Sequence, residues 1–231
     1  ERNPTENILA LYSEDGFAID FGKLAESFVE QAQKKKDRTI DVLLGTRVRR
    51  IKKEHNTFII TTDSGDSEAK TVVVAAGSQS LQFAYDLGYG KEFILLPVAG
   101  NFFCAPKVLN GKVYTMQIKK LPFAAVHGDP AVDNLDETRF GPTMKVLPVL
   151  ERRKMKTTME FLRLFEFRLD AILSLLKILA DKTIFLYILK NLLYDIPIIG
   201  KRIFVAKEMR KIVPSIGPKD VRFGKGLGGI R

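Results

Sequence analysis

Of the two histidines in the chain, His127 stands in the stretch VHGDPAVDNLDETRFGP (126–142), in company with Asp129, Asp133, Asp136, Glu137 and Arg139. An imidazole titrates near neutral pH and therefore suits a base that takes a proton from a hydroxyl. A planar guanidinium binds a carboxylate through two parallel hydrogen bonds, and Arg139 offers one. Two readings of the stretch stay open at this level. In one it is a solvated loop, with Arg139 paired to Asp136 or Glu137 and His127 a strand-end residue bonded to backbone. In the other the loop presents base and arginine to an anionic substrate. Gly141-Pro142 reads as the end of a strand, and His55, in KKEHNT, as a turn residue. Cys104 has no histidine near it in sequence and reads as a buried small hydrophobe.

Other chemistries lack their residues. There is no GxGxxG between a strand and a helix, no GxxxxGK[ST], no GxSxG and no HExxH, so the common phosphate cradles, serine elbows and zinc sites are absent and no metal site is expected. A single cysteine excludes an internal disulfide and suits a reducing compartment. The net charge of +10 is lopsided: residues 145–231 hold 19 Lys/Arg against 8 Asp/Glu, whereas the preceding residues are near neutral. An excess of that kind fits a soluble basic face or an anionic partner. Nucleic acid is the weaker partner, because the cations are not interleaved with aromatics and no recognition motif occurs. The opening ERNPTENILALYSEDG has no apolar signal core, and the closing GLGGIR stops on glycines, so an internal fragment is expected.

The elements that must position these residues follow from periodicity. FGKLAESFVEQAQKKK spaces Leu24, Phe28 and Ala32 as one helical face. TIDVLLG, RVRRIKKE and TFIITTD read as strands, with DSGDS as a turn. TVVVAAG is a β-branched run of the kind buried on both faces of a covered sheet. SLQFAYDLGYG reads as a short helix stopped by glycine. EFILLPVAGNFFCAP, KVYTMQIK and FAAVHG read as further strands, with LNGK as a hairpin signal between two of them. Beyond Pro148 the pattern becomes helical: one polar stripe runs from Glu160 to Asp181 in an otherwise apolar span, then TIFLYILKNLLYD and KRIFVAKEMRKIV follow, joined by IPIIG. The polar stripe interrupts the longest apolar run short of the ~18 residues a membrane span needs. Helices so apolar fit a self-packed subdomain or a membrane-surface element whose Phe and Leu enter the interface beside Arg152, Arg153, Lys154, Lys156, Lys201 and Arg202.

Several segments carry a resemblance. TVVVAAGSQS resembles the strand and Ala-Ala-Gly turn of glutathione-reductase-type flavoproteins, and LYSEDGFAIDFGKLAESFVEQA resembles the matching region of the D-amino-acid-oxidase-like superfamily. PVAGNFF, PFAAVHGDPAVDNLDETRFGPT, KEMRKIVPSI and GLGGIR, in that order, resemble the malate:quinone oxidoreductases and the related L-2-hydroxyglutarate oxidases, over about Asn7 to Arg231. The resemblance implies FAD as cofactor, with Val48, Ala76, Gly77, Gly228 and Gly229 bringing backbone up to it. It also gives Arg231 the substrate carboxylate, beside His127 as base and Arg139 as a second cation.

The fold expected is α+β: a mixed β-sheet substrate domain of a glutathione-reductase-type flavoprotein with a C-terminal helical subdomain. Its parts would be 1–78 (incomplete FAD-binding region, fingerprint missing), 79–149 (substrate-domain sheet), 150–218 (helical subdomain) and 219–231 (return to the FAD-binding region). The function implied is FAD-dependent oxidation of a 2-hydroxy dicarboxylic acid, malate first and L-2-hydroxyglutarate as alternative, with electrons passed to quinone. The isolated fragment is expected to be inactive and to hold no FAD. The location implied is the cytoplasm, peripherally on the inner face of a bacterial cell membrane. The alternative of another class is a non-catalytic basic module that binds membrane or protein.

Overall fold

A computed structural model describes residues 10–116, 120, 125–165, 169–224 and 227–230. The chain forms two compact units, each drawn from separated stretches: Glu1–Leu24, Val98–Leu147 and Ile172–Gly229 in one, Ala25–Pro97, Pro148–Ala171 and Ile230–Arg231 in the other.

The second of these units holds a three-stranded antiparallel meander of β1 (Val48–Glu54), β2 (Thr57–Thr62) and β3 (Gly65–Ala69). Glu54 pairs with Thr57, which leaves His55-Asn56 as a two-residue turn with His55 at φ 53°. That backbone is the one a tight hairpin demands. The strands expected from RVRRIKKE and TFIITTD are therefore found, and β3 emerges from what read only as a turn. TIDVLLG is not a strand: residues 39–43 are irregular and Leu44 is 87% exposed. TVVVAAG is not one either: residues 71–76 pair with no described strand and Val73 is 86% exposed. A doubly buried strand requires neighbours at its edges and cover on both faces, and β-branched composition supplies neither. The short helix α2 (Ser80–Asp86) follows as expected and ends before Gly88 at φ 86°. In the same unit α3 (Thr157–Phe165) offers Glu160 to Arg47 and to Gln79 Nε2, the latter at 3.1 Å.

The other unit is built on a five-stranded sheet in the order β5 (Val113–Tyr114), β6 (His127–Pro130), β7 (Glu137–Val146), β4 (Val98–Pro106), β8 (Arg222–Phe223). Every described pairing is antiparallel, so the sheet read as mixed is antiparallel here; β6 and β7 join through a short return. LNGK is not a hairpin, because β4 takes β7 along its length and leaves β5 to β6. Nor does Gly141-Pro142 end a strand. β7 runs through it, because Phe102 on β4 stands opposite both residues in a bulge between Asn101 and Phe103.

One face of this sheet is the core. Phe103 and Phe140 face α5 (Lys182–Tyr194) and α6 (Ile199–Lys207), with Phe103 stacked on Phe204 at 4.8 Å and Tyr194 edge-on to Phe204 at 5.0 Å. Asp181 caps α5 by accepting from the amides of Thr183 and Ile184. Buried Asn191 accepts from the amide of Met144, and Asp195 bonds both Asn101 and Lys145, so α5 is tied to β4 and β7 by polar contacts as well as by packing. The C-terminal stretches that read as helices are helical, but they are shared between the two units and do not form a unit of their own. The long polar-striped segment comprises α3 and α4 (Leu169–Ala180) on either side of residues outside the description.

Candidate functional site

The stretch around His127 is not a loop but a β-hairpin. Strand alternation sends His127 and Asp129 of β6 to the face opposite the core, while Gly128 lies flush against it. A Cβ at Gly128 would stand 2.8 Å from the Phe140 ring and 2.6 Å from Leu109, so only glycine lets β6 lie this close to the core. On β7, Arg139 is the register partner of Asp129 and Gly141 that of His127.

His127 keeps 15% of its side chain in solvent, between Phe102 (ring centroids 5.9 Å apart, edge-on) and Tyr114 (5.1 Å). Its Nδ1 lies 3.4 Å from the carbonyl oxygen of Ala125, and its Nε2 3.8 Å from Oδ1 of Asp129. A proton on Nδ1, donated to that carbonyl, leaves the lone pair on Nε2. Burial lowers the imidazole pKa below its usual 6.5 and the Lys112 charge adds to this, against the opposing pull of Asp129. The ring is thus neutral at neutral pH. Once it takes a proton, the new charge faces a carboxylate.

Asp129, with 9% of its side chain exposed, accepts from Arg139 Nη2 at 2.9 Å through Oδ2. Its Oδ1 and the Nε of Arg139 are buried without a partner among the described residues. Arg139 also has Asp133 at 3.8 Å. Arg139 therefore pairs with neither Asp136 nor Glu137. The latter, on the same face, closes on Arg222 through both oxygens at 2.6 Å. Cys104, cross-strand from both arginines, is buried, and burial pushes its thiol pKa up, the mark of an inert cysteine. Lys112 stands over the Tyr114 ring, 4.9 Å from its centroid.

The structure thus joins His127 and Arg139 through Asp129, a residue the sequence reading did not single out although its i+2 spacing from His127 places it on the same strand face. Of the residues expected at the cofactor, Val48 opens β1, and Ala76 and Gly77 (φ 57°, with open space where a Cβ would stand) precede α2, all in the meander unit. Gly228 and Gly229 belong to the sheet unit, and Arg231 lies outside the described residues. No glycine-rich strand–turn–helix occurs among the described residues, so these residues do not by themselves cradle a dinucleotide pyrophosphate. No group of three or more His, Cys, Asp or Glu side chains that could hold a metal ion occurs among them either.

The family model for malate:quinone oxidoreductase (Mqo) matches residues 1–193. The chain belongs to that family. The malate:quinone oxidoreductase of Helicobacter pylori is 41% identical over 231 residues, covering 98% of this chain and 51% of the relative. The probable malate:quinone oxidoreductase of Campylobacter jejuni is 40% identical over 232 residues with the same coverage. The chain spans about half the length of the curated relatives it matches. Among solved structures, a glycine oxidase from Bacillus cereus aligns with 53% of this chain and 32% of its own at 19% identity and a TM-score of 0.39. The family resemblance read from PVAGNFF, the HGDP stretch and GLGGIR is borne out by the family match and the curated relatives.

Proposed function

We propose that this chain is the substrate-facing half of an FAD-dependent oxidoreductase that oxidises malate to its 2-oxo acid and passes the electrons to quinone. The observation that carries the reading is the His127 Nε2 beside Asp129, on a sheet face opposite the core. Oxidation of a 2-hydroxy acid removes a hydride from C2 and a proton from the hydroxyl, leaving a C=O bond. Flavin, when bound, supplies the hydride acceptor. His127 takes the hydroxyl proton on Nε2, and Asp129 steadies the imidazolium that results. Arg139 holds Asp129 in place. Val48, Ala76, Gly77, Gly228 and Gly229 are proposed for the FAD contact and Arg231 for a substrate carboxylate, on the family resemblance. The chain alone is proposed to be inactive and to purify without flavin absorbance.

The intact protein is further proposed to work peripherally on the inner face of the cell membrane, where quinone is dissolved. Ile172, Leu176 and Leu179 of α4 and Phe185, Leu189 and Leu192 of α5 leave apolar helix faces exposed, with Lys177 and Lys182 among them. No described helix is long and apolar enough to cross a membrane. The enzymatic reading is tested by anaerobic titration of the intact flavoprotein. Malate should bleach its visible absorbance and a quinone should restore it, and a protein bleached by L-2-hydroxyglutarate but not by malate changes the substrate assigned.

A further inference from the structure

We infer that Lys112, held over the Tyr114 ring beside the base, receives the carboxylate that distinguishes a dicarboxylate substrate from a monocarboxylate. The inference rests on the 2-hydroxy-acid reading above. A dicarboxylate brings two negative charges to this face, and each needs a cation not already neutralised. Arg139 does not meet that condition. Asp129 holds it at 2.9 Å and Asp133 stands at 3.8 Å, so two carboxylates surround one guanidinium and a third is repelled. Arg222 is likewise closed on both oxygens of Glu137.

Lys112 differs. It has no carboxylate partner among the described residues, and its Nζ lies 4.9 Å from the Tyr114 centroid. An aromatic face restrains an ammonium through its quadrupole without cancelling its charge, so the cation is both positioned and available. Tyr114 is the register partner of His127 and packs on it at 5.1 Å. The antiparallel register continues from Tyr114–His127 toward Lys112 and Asp129, so Lys112, held over the Tyr114 ring, brings a cation without a carboxylate partner among the described residues to the face that carries the base. A carboxylate on Lys112 would hold its substrate on the sheet face that carries the imidazole. The lowered imidazole pKa agrees with this placement, since the Lys112 charge contributes to it.

The test is steady-state kinetics of the intact enzyme with malate and with 2-hydroxybutyrate, in which a methyl group replaces the distal carboxylate. In Lys112→Met the KM for malate should rise about ten- to a hundredfold with kcat changed far less, and the preference for malate over 2-hydroxybutyrate should shrink by a similar factor. Lys112→Arg should restore most of that preference. An unaltered preference in Lys112→Met, or an equal loss for both acids, overturns the inference and leaves the enzymatic reading standing. A wild-type enzyme that oxidises neither acid overturns both.

Discussion

Asp129 and Arg139 face each other across the β6–β7 register, Oδ2 to Nη2 at 2.9 Å, yet each keeps a buried polar atom without a partner among the described residues. A half-satisfied ion pair is a poor device for stability alone, since buried polar groups cost free energy until they are bonded. Its location beside the only histidine described on this sheet face puts the Asp129 carboxylate 3.8 Å from Nε2, the arrangement that the proposed role of His127 uses. Removing one partner should expose the cost. Arg139→Met leaves Asp129 uncompensated and should destabilise the protein by about 2–4 kcal/mol, reduced from the fully buried case because Arg139 keeps a fifth of its side chain in water. Adding Asp129→Asn should recover most of the loss. Urea unfolding of the intact protein measures both, and a single variant as stable as wild type removes the pair from the structural account.

His127→Asn removes the proposed base while keeping a polar side chain of similar reach. In the intact enzyme kcat should fall by roughly 100-fold or more with KM for malate little changed. The wild-type pH profile should show an acid limb below the ordinary histidine value of 6.5, because burial and Lys112 lower the imidazole pKa. The variant should lose that limb. A profile that is the same in wild type and variant assigns His127 to structure.

Glu208 is the buried carboxylate of the core behind the sheet. Burial by itself would raise its pKa, but Lys190, Lys211 at 2.9 Å and the Tyr194 hydroxyl at 2.8 Å outweigh it and hold the carboxyl below 4.5. The unfolded chain therefore binds the proton first as pH falls. The contribution is complete above the unfolded value and is lost as pH drops through the folded one. Glu208→Gln should destabilise the protein near neutral pH by about 1–3 kcal/mol, with the gap to wild type closing in acid below about 4.5. Thermal unfolding across that range checks it, and a gap that widens in acid contradicts the assignment.

The exposed faces of α4 and α5 combine the two features that binding at a membrane surface uses, apolar side chains to bury and lysines to meet anionic head groups. The intact protein should sediment with vesicles that contain anionic lipid and should be released as salt rises, because exposed charges are screened beyond roughly 8–10 Å at physiological ionic strength. Leu176→Glu with Leu189→Glu should abolish sedimentation. Failure to bind anionic vesicles at low salt would mean that these faces are covered within the intact protein.

Much of this site was legible in residue types and their order. His127 and Arg139 stand out in the sequence because imidazole and guanidinium would suit the proposed 2-hydroxy-acid substrate, and the ordered motifs placed the chain in its family. Helical periodicity located α1 (Phe21–Gln33), α2 and α5, because a 3.6-residue repeat is a property of the local chain. The errors share one cause. TIDVLLG and TVVVAAG have the composition of strands, but a strand exists only where another strand offers it hydrogen bonds, and none of those described does so. The same dependence on distant partners decided the chemistry. Asp129 rather than Asp136 or Glu137 takes Arg139 because antiparallel register puts them opposite each other, and Lys112 reaches the site only because β5 pairs with β6. The sequence by itself determined which groups were available and the family they serve. Which of them meet, which are neutralised and which remain free was decided by sheet register and burial, quantities that no local stretch of chain contains.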